Sequence, residues 1–140
     1  MANQRFKILV VEDEEGLRLA LAELLELDGF EVFMARDGED GYRQALMSEP
    51  DLIITDLVMP VLDGLELAQL IRRQAGRIRA VPIIALSANL TNYNLTSRMN
   101  SGINRFLSKP ISDYRGLAST IRSLLEQGEQ QLSAISVSRQ

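Results

Sequence analysis

Phe6-Lys7-Ile8-Leu9-Val10-Val11-Glu12-Asp13-Glu14-Glu15 is the stretch on which the fold turns. Its first six residues are rich in β-branched side chains and lack helical spacing, so they read as a buried strand that stops at a run of acids. Beyond the acids, Leu17, Ala20, Leu21, Leu24, Leu25 and Asp28 recur at intervals of three and four, and Gly29 supplies a stop. That pattern predicts a helix of about 14 residues, whose acidic start suits the positive end of the helix dipole.

The same strand-then-helix unit repeats down the chain. Phe30 to Ala35 predicts a second strand, Gly38 to Ser48 a helix stopped by Pro50, and Asp51 to Thr55 a third strand ending at Asp56. Leu65, Leu67, Ala68, Leu70 and Ile71 predict a helix after Asp63-Gly64, and Val81 to Leu86 a fourth strand with Pro82 near its start. Thr91 to Ser101 holds three Asn and few large apolar residues, which predicts a short, marginal helix capped by Thr91 and stopped by Gly102. Asn104 to Ser108 predicts a fifth strand, and Leu117, Ile121, Leu124 and Leu125 mark a last helix. Five strands alternating with five helices give a doubly wound α/β fold, a five-stranded parallel sheet covered on both faces. From 128 to 140 the chain turns to Gln, Ser and Gly, a polar tail expected to be disordered. Leu125, Leu132 and Ile135 keep helical spacing across Gly128, so an extension of the last helix is the competing expectation.

Composition narrows the chemistry. A chain of 140 residues, 46% apolar and 24% charged, fits one soluble domain with a core of its own. It has no Cys and no His, which excludes Cys/His zinc sites, thiol chemistry, Ser-His triads and phosphohistidine carriers. The net charge of −4 disfavours direct binding to nucleic acid, and no apolar run approaches the ~20 residues of a membrane span. The N-terminus carries no targeting pattern, so a cytoplasmic protein is expected.

In a doubly wound sheet the binding crevice lies at the carboxyl ends of the strands. Glu12 and Asp13 follow the first strand, Asp56 ends the third, Ser87 follows the fourth and Lys109 the fifth. Adjacent strand ends are about 5 Å apart, so these side chains converge. Three carboxylates there repel by roughly 4 kcal/mol per pair at 4 Å in an effective dielectric of 20, and a cation is required. Mg²⁺ fits, being a hard ion that prefers carboxylate and water oxygens and is often completed by a phosphate oxygen. Lys109 adds a second positive charge suited to phosphate, and Ser87 a hydroxyl donor.

The pieces Val10-Val11-Glu12-Asp13-Glu14, Asp56-Leu57-Val58-Met59-Pro60 with Asp63-Gly64, Ala85-Leu86-Ser87-Ala88, and Gly102-Ile103-Asn104-Arg105-Phe106-Leu107-Ser108-Lys109-Pro110 are each weak alone. In this order and spacing the chain resembles, over about Phe6 to Gln127, a response-regulator receiver domain of two-component signalling, CheY-like and flavodoxin-like, which sets the expected domain at residues 1–127. The resemblance implies strand order 2-1-3-4-5 and makes Asp56 the acceptor of a phosphoryl group from a histidine kinase or phosphotransfer protein. By the same resemblance Asp13 and Asp56 ligate Mg²⁺ directly, Glu12 acts through water, and the Val58 carbonyl completes the protein ligands. Lys109 would pair with the phosphoryl group. Ser87 and Phe106 would form a switch pair, changing a face made by the fourth helix, fifth strand and fifth helix that signals to a downstream protein, with a phosphorylation-dependent homodimer left open. Two new hydrogen bonds to a charged group are worth roughly 3–6 kcal/mol, the size needed to invert a two-state equilibrium.

The chain also departs from the family pattern. Glu12 stands where Asp is usual, Phe106 lacks the hydroxyl that many relatives carry, and Val58 cannot orient a hydrolytic water, so slow loss of the phosphoryl group is expected. Turnover catalysis is not expected. Phosphatases of the Asp-nucleophile type usually place a second Asp where Val58 stands. A flavin carrier would need a hydroxyl-and-Gly loop after the first strand, where this chain has acids. The alternatives are a receiver fragment of a larger regulator or hybrid kinase, or a receiver that works by protein contact without phosphorylation.

Overall fold

The computed structural model describes residues 5–138. The described residues form two compact units, one up to Lys109 and one from Pro110 on. The first holds five parallel strands, β1 Lys7–Val11, β2 Glu31–Ala35, β3 Leu52–Asp56, β4 Ile83–Ser87 and β5 Arg105–Ser108, in the order β2-β1-β3-β4-β5. This is the order the resemblance implied. Every residue of β3 and β4 is buried, as expected of central parallel strands covered on both faces, whereas β2 and β5 at the edges are partly open.

Four helices complete this unit: α1 Glu15–Leu27, α2 Gly38–Ser48, α3 Gly64–Arg72 and α4 Leu95–Met99. Alternate strand residues Leu9, Val11, Ile53, Ile83 and Ala85 point to one side of the sheet and join Ala45 of α2 and Leu67, Ala68 and Ile71 of α3 in a continuous apolar core. Each helix start has a local cause. Glu14 accepts from the Gly16 N–H ahead of α1, and Asp37 accepts from the Asp40 N–H ahead of α2. Asp63 and Glu66 form a reciprocal capping box on α3. The α1 periodicity is wider than the buried stripe: Leu21, Ala22 and Leu25 are buried, while Leu17 and Leu24 remain exposed.

The segment after β4 departs from expectation. A 3₁₀ turn covers Leu90–Asn92, and α4 begins only at Leu95, capped by Asn94, whose side chain accepts from the Ser97 N–H. Thr91 is therefore not the cap. Both residues are capping types, and the sequence pattern does not distinguish them.

Arg72, the last residue of α3, clamps two segments, 79–81 and 102–104, to the end of its helix. Its Nε donates to the Gly102 carbonyl at 3.0 Å, Nη1 to the carbonyls of Arg79 and Val81 at 2.8 and 2.7 Å, and Nη2 to Asn104 Oδ1 at 3.0 Å. Asn104 Oδ1 in turn accepts from the Ile83 N–H at 2.8 Å, which fixes the entry of β4 beside that of β5. Burial pulls the guanidinium pKa down from its ordinary value.

The second unit is one helix, α5 Tyr114–Ser138, in which Leu117, Ile121, Leu124 and Leu125 are buried. Its backbone runs on through Gly128. The spacing of Leu132 and Ile135 falls outside the described side chains.

Candidate functional site

The site forms where β1, β3 and β5 end. The Glu12 N–H donates to the Ala35 carbonyl at 3.1 Å, extending the β1–β2 ladder by one residue and holding Glu12 at the carboxyl end of β1. The Glu12 carbonyl accepts from Arg18 Nη1 at 2.9 Å, and its Oε2 accepts from the Glu14 N–H at 3.1 Å. Asp13, next along, is exposed. Asp56 closes β3 in register with Leu86, and Thr55 Oγ1 donates to its carbonyl at 2.9 Å. Gly64 allows the α3 start to pack directly on this strand end, since a Cβ there would stand 2.5 Å from the Asp56 carbonyl oxygen. The Lys109 N–H donates to the Ser87 carbonyl at 2.8 Å, so the lysine leaves β5 directly beside the end of β4.

These placements bring the charges together. Lys109 Nζ donates to Glu12 Oε1 at 2.8 Å and to Asp56 Oδ2 at 2.9 Å. Glu12 and Asp56 are 5% and 7% exposed. Burial pushes the Glu12 carboxyl above its ordinary pKa, with Lys109 and the Glu14 N–H opposing and Asp56 reinforcing. Burial alone would lower the Lys109 pKa, but the hydrogen bonds it donates to Glu12 and Asp56, with the charges of both carboxylates, outweigh it and hold the ammonium above its ordinary value.

One carboxylate oxygen each from Glu12, Asp13 and Asp56 lies within 4.8 Å of the other two. Two oxygens bound to the same Mg²⁺ are at most about 4.2 Å apart, twice the ~2.1 Å ligand distance. The trio is thus compact enough to share a hard cation if part of its ligation passes through water. Its all-carboxylate donor set suits Mg²⁺ and would not favour a soft metal.

Val58 lies in the loop beyond β3, 69% exposed as a residue, and its N–H donates to Asp56 Oδ1 at a long 3.4 Å. Ser87 is buried, and its Oγ accepts from the Asn89 N–H at 3.1 Å. Phe106 sits on β5 in register with Ala85, half-buried against the apolar core. Glu12, Asp13, Asp56 and Lys109 therefore form one cluster, with Val58 on its rim, while Ser87 is tied to the segment that follows it. Two contacts were not legible in the sequence: Arg18 on the Glu12 carbonyl, and the Arg98 guanidinium 5.5 Å from the centre of the Phe106 ring. No local spacing announces either. A cleft of about 700 Å³ lined by Lys7, Glu31, Asp51 and Arg77 contains none of these residues.

Comparison with known proteins identifies the family of this chain. Residues 8–122 match the family described as response regulator receiver domain. The chain belongs to that family. It is 33% identical over 123 residues to the alkaline phosphatase synthesis transcriptional regulatory protein PhoP of Bacillus subtilis, covering 88% of this chain and 50% of that protein. It is 36% identical over 112 residues to hybrid signal transduction histidine kinase G of Dictyostelium discoideum, covering 79% of this chain and 3% of that protein. Among solved structures, the receiver domain of a sensor histidine kinase from Pseudomonas aeruginosa, described with a magnesium ion coordinated in its active site cleft, superposes with a TM-score of 0.79. The two share 31% identity, and the match covers 88% of this chain and 99% of that one. The receiver domain thus spans about half, or far less, of the curated relatives it matches. Among the described residues no helix is long and apolar enough to cross a membrane.

Proposed function

We propose that this receiver domain accepts a phosphoryl group on Asp56, assisted by Mg²⁺, and passes the change to a protein partner. The observation that carries the reading is the Lys109 ammonium held between Asp56 and Glu12, on the rim of a three-carboxylate cluster. An Asp56 oxygen attacks the phosphorus of a donor phosphohistidine. The new P–O bond forms as the P–N bond breaks, and the imidazole nitrogen leaves with the bonding pair. Lys109 holds the Asp56 carboxylate in place through its hydrogen bond, and it offers the transferred oxygens a positive partner once that bond loosens. Asp13 and Asp56 would hold Mg²⁺ directly, with Glu12 through water and the Val58 carbonyl as a further ligand. The bound ion would neutralise the charge that gathers on the phosphoryl oxygens.

Ser87 and Phe106 form the switch pair in this reading. The Ser87 hydroxyl turns from the Asn89 N–H toward a phosphoryl oxygen, and the Phe106 ring follows into the space given up. The changed surface, with α4 and β5 in it, meets the downstream protein, and a homodimer of phosphorylated chains is one form such an output takes. Because the curated relatives are longer, a second reading holds that these residues act as the receiver portion of a larger regulator or hybrid kinase.

Intact-mass spectrometry after incubation with a small acyl-phosphate donor tests the acceptor chemistry. The expected result is a Mg²⁺-dependent gain of one phosphoryl mass that disappears in Asp56→Asn. No gain in the folded wild type, with the donor or with a panel of phosphorylated histidine kinases, overturns it in favour of a receiver acting by contact alone.

A further inference from the structure

Phe106 has no hydroxyl, so its ring orientation depends on what lies against it. Tyr93 does so, with the two ring centres 6.4 Å apart and the planes tilted by 34°. The Arg98 guanidinium also lies over the Phe106 ring, 5.5 Å from its centre. The same guanidinium is committed elsewhere: Nε donates to the Tyr93 carbonyl at 2.9 Å and Nη2 to the Leu90 carbonyl at 2.8 Å. Both acceptors belong to the 3₁₀ turn and its end, three to six residues after Ser87. Ser87 Oγ is bonded to the first part of that segment through the Asn89 N–H. One planar fork therefore touches the segment on which Ser87 sits and the ring on the neighbouring strand. A lysine ammonium, a point charge without fixed donor directions, could not span all three groups.

We propose that Arg98 is a positioning residue that couples the two halves of the switch, holding Phe106 in its resting orientation through the Leu90–Tyr93 carbonyls. The proposal rests on the reading of Asp56 as phosphoryl acceptor and of Ser87 and Phe106 as its switch. When Ser87 is drawn toward a phosphoryl group, the carbonyls that anchor Arg98 move with it, and the cation leaves the ring. The tether thus favours the resting state, and its removal raises the fraction of chains ready to accept a phosphoryl group. The short α4 that carries Arg98 has few contacts to lose in such a change: none of its residues is buried.

The test compares wild type, Arg98→Met, Phe106→Leu and the double variant, each checked for folding by circular dichroism. Arg98→Met keeps an apolar stem against the ring and removes the charge and both donors; Arg98→Gln serves if that variant does not fold. Phosphoryl gain from a small acyl-phosphate donor with Mg²⁺ is timed by intact mass, and the Phe106 ring is followed by aromatic carbon NMR. With four Phe in the chain, the Phe106 signal is assigned by its loss in Phe106→Leu. Arg98→Met is expected to gain the phosphoryl group about fivefold faster, equivalent to about 1 kcal/mol at 1.36 per tenfold. Its ring signal before phosphorylation should move toward the position seen in phosphorylated wild type, and Arg98→Met should add no rate when Phe106 is already Leu. An unchanged or slower rate, an unmoved ring signal, or an equal gain in the Phe106→Leu background overturns the tether while leaving the acceptor reading intact. A folded wild type that takes up no phosphoryl group removes both.

Discussion

Replacing Lys109 by Met takes away the ammonium that Glu12 and Asp56 share. The three side chains are 18%, 6% and 9% exposed, so water screens the loss poorly. Removing one partner from a buried ion pair costs about 3–5 kcal/mol, because the remaining charge is left uncompensated. The geometry reaches a similar figure independently. Carboxylate oxygens no more than 4.8 Å apart repel by at least about 3.5 kcal/mol per ionised pair at an effective dielectric of 20. A loss of that size lowers the melting temperature of a domain this large by roughly 10–15 °C. Mg²⁺ supplies positive charge at the same place, so it should stabilise Lys109→Met more than wild type and narrow the gap between them. Thermal and urea unfolding followed by far-ultraviolet circular dichroism, with chelator and with millimolar Mg²⁺, measures all four conditions. Equal stability of variant and wild type in chelator would refute the view that Lys109 balances these carboxylates. A gap that Mg²⁺ leaves unchanged would refute the view that the ion and the ammonium answer the same repulsion.

Three further outcomes follow from local geometry. Gly64→Ala places a Cβ 2.5 Å from the Asp56 carbonyl oxygen and 3.0 Å from Leu57 Cα, both backbone atoms that cannot yield cheaply. It should cost about 1–3 kcal/mol in urea unfolding and slow phosphoryl gain by displacing Asp56, and wild-type values for both would contradict the packing described. Val61 adopts φ +70, a left-handed conformation that costs an L-residue roughly 1–2 kcal/mol and is rare for a β-branched side chain. Val61→Gly should therefore raise stability by about 0.5–1 kcal/mol after the added flexibility of the unfolded chain is allowed for, and a lowered unfolding midpoint would count against the strain. Val58, exposed beside Asp56, offers no polar atom to orient an attacking water, so Val58→Asn should shorten the lifetime of the phosphorylated chain measured by intact mass. An unchanged lifetime would show that this side chain does not limit hydrolysis.

Most of the fold was legible because its signals are local. A run such as Ile8 to Val11 is apolar because β1 is covered on both sides, and the break at Glu12 and Asp13 marks where the covering ends. The alternation of such runs with amphipathic stretches leaves a parallel sheet as the economical arrangement. The acids and Lys109 were legible for the same reason, since each stands where an apolar strand stops. The cap of α4 was not, because Thr91 and Asn94 are both capping residues and the choice depends on where the preceding turn ends. Nor was the exposure of Leu17 and Leu24, whose spacing is that of a buried stripe.

The sequence by itself thus determined the order of elements, the strand ends that carry charge, and the kind of chemistry left open by the absence of Cys and His. Only the tertiary structure decided that Lys109 bridges Glu12 and Asp56, that Arg72 ties α3 to the starts of β4 and β5, and that Arg98 reaches Phe106. The physical reason is separation along the chain. Periodicity and capping act over a few residues, whereas the partners of Lys109 lie 97 and 53 residues away, and long flexible side chains take their directions from neighbours that folding alone brings near.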